Sequence, residues 1–137
     1  MKVLTKEECE SRRNILHDHY AGTVDIEAKC MIDLIRQHVI PSVKAAGVGP
    51  LSELEAAVGT LQAAVAEIHA AGDSHEAARL SRVLRLETMI DVRALCDAAE
   101  EVVPSALWTL ATYKELLFLD SHTTSGENAE DYDEYEE

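Results

Sequence analysis

Aromatic residues, glycine and proline are all scarce in this chain of 137 residues. Aromatics make up 4%, and there are only six glycines and three prolines. β-Sandwiches and barrels need many short strands rich in aromatic and β-branched residues, separated by glycine- and proline-rich turns, so this composition argues against them. Hydrophobic residues nevertheless reach 47%, with many alanines and leucines, which favour helices. The composition predicts one all-α domain.

Long apolar runs are absent as well. No stretch of about 18 apolar residues occurs, which predicts that the chain has no membrane-spanning helix. Charged residues follow directly after residues 1–5, so we expect no signal peptide. The three cysteines are far apart and odd in number, which excludes a disulfide framework. These features predict an intracellular, cytoplasmic protein, and they leave association with the cytoskeleton open.

Basic residues are missing from the C-terminal tail. The formal net charge is −14, and residues 121–137 contribute seven Asp and Glu but no Lys or Arg. An acidic surface repels phosphate backbones, so nucleic acid is not an expected partner. We predict a helical domain over residues 1–119 and a disordered acidic tail over 120–137. A solubilising role for the tail is favoured over binding to a basic partner.

The first helix is predicted from about Glu7 to Ala46. Thr5 and Glu8 have the spacing of a capping box at its start. Pro41 is expected to kink this helix, because proline lacks an N–H group and crowds the preceding turn. Its apolar residues recur at three- and four-residue steps: Ile15, Leu16, Tyr20, Val24, Ala28, Met31, Ile32, Ile35, Val39 and Val43.

Two more helices complete the prediction. Residues 47–50 form a loop, and a heptad pattern then predicts a second helix that ends near Gly72, with Asp73 or Ser74 capping the next one. The third helix should run from about His75 to Val103, where Pro104 ends it. Its expected apolar side comprises Ala77, Leu80, Leu84, Ile90, Ala94, Ala98 and Val102. Short loops between the helices predict an antiparallel three-helix bundle.

A short aromatic segment follows the third helix over residues 105–119. It is predicted to be either a fourth helix docked on the bundle or an apolar patch that meets a partner. The candidate partner-binding residues are Leu107, Trp108, Tyr113, Leu116, Leu117 and Phe118.

No catalytic chemistry is predicted. His17 and His19 are two residues apart, so on a helix they point about 200° from each other and cannot chelate one ion. Cys30 and Cys96 fall near the apolar faces, which predicts buried, inert thiols. Motifs for metal, phosphate or nucleophilic chemistry are absent. We therefore expect no catalytic residue, metal, cofactor or small-molecule substrate.

The end of the third helix resembles a known family. Residues 93–97 (RALCD), Glu100, Val103, residues 107–108 (LW) and residues 112–118 (TYKELLF) look like the closing segment of type III glutamine synthetases. Residues 26–29 (IEAK) and 38–41 (HVIP) resemble the first long helix of the same C-terminal domain. Two prolines of the family pattern are Thr109 and Ala111 here. The resemblance implies a helical domain without the catalytic portion of the enzyme, so no catalytic residue carries over.

Three functional hypotheses follow. The first is a non-catalytic scaffold or interaction module, a structural component of a larger protein assembly. Met1 and the distinct tail favour a free-standing protein of this kind. The second is a fragment of a glutamine synthetase, an ATP-dependent glutamate–ammonia ligase, and the third is a regulator that binds this enzyme.

Overall fold

The first long helix is built from three consecutive helical segments in the computed structural model, which describes residues 3–118. These are α1 (Lys6–Leu34), a π-helical turn (Ile35–Val39) and α2 (Ile40–Ala46). The predicted capping box is present: the Glu8 N–H donates to the Thr5 Oγ1 at 3.2 Å, and the Thr5 N–H donates to the Glu8 carboxylate at 2.7 Å. Gly47 ends α2 with φ 68°, a left-handed conformation that favours glycine.

The π-helical turn lies directly before Pro41. The Ile40 N–H donates to the Ile35 carbonyl, five residues back rather than four. A proline ring normally collides with the carbonyl one α-helical turn earlier, and the wider turn gives it room. The chain therefore continues as a helix through Pro41 to Ala46.

The second helix, α3 (Leu51–His69), confirms the heptad prediction. Its seam is buried, with Leu54 and Leu61 fully inaccessible to solvent. Small residues beside the seam, such as Ala57, let the neighbouring helices approach closely.

The third helix again contains a π-helical turn. It consists of α4 (Ser74–Val83), the turn Leu84–Thr88 and α5 (Met89–Val102). Asp73, one of the two residues predicted for this position, is its N-cap, and its carboxylate accepts the Glu76 N–H at 2.8 Å. With α1 and α3, this helix completes the antiparallel three-helix bundle, which confirms the predicted all-α fold.

The apolar face predicted for α5 is wrong by one residue. Ile90 and Val102 are exposed at 58% and 51%, and Ala94 and Ala98 are exposed too. The buried positions are instead Val92, Ala99 and Val103. A π-helical turn holds one more residue than an α-helical turn, so every later position moves by one in the sequence. Upstream of it, Leu84 is buried as predicted.

The start of α1 also differs from the prediction. Ile15 and Leu16 are 62% and 67% exposed, although both were assigned to the apolar face. Packing against α4 reaches His17, whose ring lies 5.4 Å from that of His75 near the start of α4. Residues 5–16 are exposed, because α4 begins only at Ser74 and offers no facing turn at their level.

The core lies between the three long helices. It includes Val24, Ala28 and Ile35 from the first helix, Leu54 and Leu61 from α3, and, from the third helix, Leu84, Val92 and Ala99.

Beyond Val102 the chain forms a short 3₁₀ turn (Ser105–Leu107) and α6 (Tyr113–Leu117). No helix among residues 3–118 is long and apolar enough to cross a membrane. The predicted tail over 120–137 lies outside these residues.

Candidate interaction groove

The segment after Pro104 folds back onto the bundle. Trp108 and Leu110 are half-buried against the core. The Thr109 hydroxyl lies 2.9 Å from Nδ1 of His38, which anchors the segment to the π-helical turn of the first helix. The part around Trp108 and Leu110 is thus docked on the bundle, one of the two alternatives that the sequence left open.

The remainder of this segment is short and exposed. In α6, the Glu115 N–H donates to the Thr112 Oγ1 at 3.3 Å and the Thr112 N–H donates back to the Glu115 carboxylate at 2.8 Å, forming a second capping box. Tyr113 and Leu116 are each 53% exposed, and Leu117 is 77% exposed. A helix of five residues whose apolar side chains are this exposed gains little from burial in its own chain.

An apolar groove of about 580 Å³ lies between the first helix, α5 and this segment. Such a volume is within the range of ligand-binding clefts. The first helix contributes residues at four-residue steps, namely Ile26, Cys30 and Leu34 in one row and Glu27, Met31, Ile35 and Val39 in the next. The other walls comprise Met89, Arg93, Cys96, Asp97, Glu100, Trp108, Leu110, Ala111, Tyr113 and Leu116.

The charged groups of the groove are mostly paired. Arg93 donates to Asp97 at 3.1 Å, and its guanidinium group lies 5.5 Å from the centroid of the Tyr113 ring. Glu27 accepts from Arg85 at 3.2 Å. Exposed ion pairs of this kind contribute only about 0–1 kcal/mol each. Glu100 is half-buried and makes no ion pair with residues 3–118.

Two of the three thiols line the groove. Burial raises the pKa of Cys96, with a smaller contribution from the nearby Asp97 carboxylate. A thiol with a raised pKa is a poor nucleophile, as predicted for this residue. The prediction for Cys30 is wrong, because this residue is exposed. It lies on the outer row of the first helix, one turn from Ile26, rather than on the core-facing row of Ala28 and Ile32.

The indole of Trp108 is an unusual feature of the groove. Its Nε1 is buried and has no hydrogen-bond acceptor among the described residues. A buried donor without an acceptor typically costs about 1–3 kcal/mol. The packing of the ring against the core must offset this cost.

Three of the six candidate partner-binding residues come together in this groove. Trp108, Tyr113 and Leu116 line it, whereas Leu107, Leu117 and Phe118 do not. Phe118 instead borders a neighbouring hollow that also includes Trp108. The sequence prediction missed the wall formed by the first helix. Its signal is the four-residue spacing of Ile26, Cys30 and Leu34.

Outside the groove, one polar cluster links two helices of the bundle. Asp25 accepts hydrogen bonds from Lys29 at 2.7 Å and from His69 at 2.9 Å, which connects α1 to the end of α3. Burial alone would raise the pKa of Asp25, but these two hydrogen bonds lower it overall. Within residues 3–118, no group of three or more His, Cys, Asp or Glu side chains is arranged to hold a metal ion.

The N-terminal part of the chain is similar to a known family. Residues 1–48 match the family model of the glutamine synthetase C-terminal domain, a region that contains α1, the π-helical turn and α2. The match confirms the resemblance noted at residues 26–29 and 38–41. It does not extend to residues 93–118, where the resemblance stays a prediction. No curated protein gives a significant match.

Proposed function

We propose that this chain is a non-catalytic helical module that acts through protein–protein contact, as a structural component of a larger cytoplasmic assembly related to glutamine synthetase. The match of residues 1–48 to the C-terminal domain of that family supports the relationship. The observation that carries the contact role is the apolar groove.

The groove remains exposed although the core beneath it is complete. Ile26 is 69% exposed, Leu34 41%, and Tyr113 and Leu116 each 53%. These residues border one continuous depression. Contiguous exposed apolar surface of this kind marks interaction sites, because covering it with a partner removes it from water.

The titratable groups of the groove support a non-catalytic role. Glu27 and Asp97 are engaged in ion pairs, and the raised pKa of Cys96 keeps its thiol protonated near neutral pH. General acid–base and nucleophilic catalysis need groups whose pKa values are tuned toward the working pH. Cys96, whose pKa is raised, does not meet that requirement.

Two substitutions of isoleucine by lysine in α1 test the proposal. Ile26→Lys changes a residue of the groove, and Ile15→Lys changes one of similar exposure outside it. With the tagged chain as bait in native lysate, we expect a defined assembly that Ile26→Lys loses and Ile15→Lys retains. Equal loss, or capture unaffected by either change, would contradict a contact role for the groove. Circular dichroism checks that both variants stay helical.

A second candidate is a piece or regulator of glutamine synthetase itself, favoured by the family match. It predicts that the purified chain binds a glutamine synthetase catalytic chain and changes ATP-dependent glutamine formation. The module hypothesis predicts no change in this assay. An isolated chain that forms glutamine would contradict both.

A further inference from the structure

We infer that the groove receives a single amphipathic helix with basic flanking residues, contributed by a partner chain and lying beside the first helix and α5 as a fourth helix of the bundle. This inference rests on the proposed function and specifies the chemistry of the partner.

The dimensions of the groove suit one helix. Its wall along the first helix extends from Ile26 to Val39, which at 1.5 Å per residue is about 20 Å. Rows of side chains at four-residue steps are the ridges between which the side chains of a second helix pack. Apolar anchors at three- and four-residue spacing on the partner would contact Ile26, Leu34 and Leu116.

The charges around the groove favour a basic partner. Three acidic residues, Glu27, Asp97 and Glu100, line it together with one base, Arg93. Arg93 is paired with Asp97, and Glu27 is paired with Arg85, so the unbalanced charge of the groove is the negative charge of Glu100. Glu100 makes no ion pair with residues 3–118 and can receive a Lys or Arg from outside.

A second copy of the chain is a poorer occupant. The formal net charge is −14, so two copies brought together repel each other. A basic helix is instead attracted, and complementary charge also accelerates association.

The inference is tested with two synthetic 18-residue peptides that share one leucine face. The first carries lysine at its polar positions and the second carries glutamate. Trp108, the only tryptophan, lines the groove and reports binding through its fluorescence. We expect the lysine peptide to bind at least about tenfold more tightly at low salt, and this preference to shrink in about 0.5 M NaCl.

Two controls separate groove binding from general attraction to an acidic protein. A lysine peptide of the same composition but with a scrambled apolar face should bind weakly. Leu116→Lys, which places a charge in the groove, should weaken binding of the amphipathic lysine peptide about tenfold or more. Leu117→Lys adds the same charge one residue away, outside the groove, and should leave binding unchanged.

Several outcomes would overturn the inference. Equal binding of the lysine and glutamate peptides would refute the charge preference, while leaving the proposed contact role intact. Equal effects of Leu116→Lys and Leu117→Lys would place the peptide elsewhere. Dimers in sedimentation that only Leu116→Lys dissociates would assign the groove to a second copy. If neither peptide binds, but Ile26→Lys still abolishes capture from lysate, the inferred helical partner is refuted. The proposed role as an interaction module is not.

Discussion

Two buried serines in this bundle differ in one hydrogen bond. Ser42 is 2% exposed, and its hydroxyl oxygen has no partner among the described residues. Ser81 is fully buried, but its hydroxyl donates to the Ala77 carbonyl at 2.8 Å. A buried hydroxyl that lost its water contacts without a replacement destabilises the fold.

We therefore expect Ser42→Ala to stabilise the protein by about 1 kcal/mol, since it removes an unpaired polar group and improves helix propensity. Ser81→Ala is the matched control and should be neutral or destabilising by up to about 1 kcal/mol. Urea denaturation followed by circular dichroism measures both. A Ser42→Ala variant that is less stable than Ser81→Ala would contradict the assignment.

The three cysteines should differ in reactivity. Cys9 and Cys30 are exposed, whereas Cys96 is half-buried with a raised pKa. Because the thiolate is the reactive form, we expect two thiols to react quickly with a disulfide reagent near neutral pH and one to react at least about tenfold more slowly. Cys96→Ser should abolish the slow phase, and Cys30→Ser should leave it. A slow phase that persists in Cys96→Ser would refute this prediction.

At the scale of elements, local sequence defines the helix ends. Thr5, Gly47 and Asp73 were all identifiable from the sequence, because capping depends on a side chain and the backbone within three or four residues of it. Each helix boundary taken from these signals agrees with the structure to within a few residues.

Asp73 gives this capping a pH dependence. Its hydrogen bond from the Glu76 N–H is the main cause that lowers its pKa below the ordinary value of 3.8. Because the pKa of Asp73 is lower in the folded state, its ionised carboxylate stabilises the fold at pH values above the ordinary pKa. This stabilisation is lost as the pH falls through the folded-state pKa. We expect Asp73→Ala to lower the urea midpoint at pH 7, and the difference from wild type to shrink toward pH 2.5. Asp73→Asn, which retains a capping side chain, should lose less stability at pH 7, and equal losses would contradict this explanation.

The register of α5 could not be predicted from periodicity. A steady 3.6-residue period continued from Leu84 points to Ala94, Ala98 and Val102, whereas the π-helical turn Leu84–Thr88 moves the buried face one residue onward. No residue in the sequence LRLET marks such a turn. A single-sequence pattern therefore does not reveal it.

Deletion of Glu87 tests this account. Removing one exposed residue from the π-helical turn should convert it to α-helix and leave Val92 and Ala99 facing the core, because the turn holds one residue more than an α-helical turn. We expect this variant to unfold cooperatively, with a free energy of unfolding within about 1 kcal/mol of wild type. Insertion of one alanine after Glu87 should instead rotate α5 by about 100° relative to α4, move Val92 and Ala99 out of the core and cost at least about 3 kcal/mol. A deletion variant that loses as much stability as the insertion variant would refute the role of the turn.

At the scale of the whole molecule, half of the groove could be predicted. The aromatic segment stood out by composition, and it supplies Trp108, Tyr113 and Leu116. The opposite wall, formed by the first helix, was assigned to the bundle interior or left unassigned. Periodicity identifies the apolar residues of a helix, but it does not show which of two neighbouring rows of side chains faces the core. Cys30 and Ile26 belong to the outer row.

The domain boundary predicted near residue 119 is also open to a direct measurement. Among residues 3–118, the core and the residues packed against it lie between positions 20 and 110. We expect a chain that ends at Leu119 to keep the helical circular dichroism and the unfolding free energy of the full chain to within about 0.5 kcal/mol. A larger loss would show that residues 120–137 stabilise the bundle.

The π-helical turn Leu84–Thr88 also affects how this chain is compared with its relatives. A homologue whose third helix is α-helical throughout would be one residue shorter between Leu84 and Met89. The correct alignment then needs a one-residue gap inside a helix, a place where alignment methods usually penalise gaps. Without that gap, each residue downstream of the turn is paired with a neighbour of its true equivalent, and buried positions such as Ala99 are matched to exposed ones.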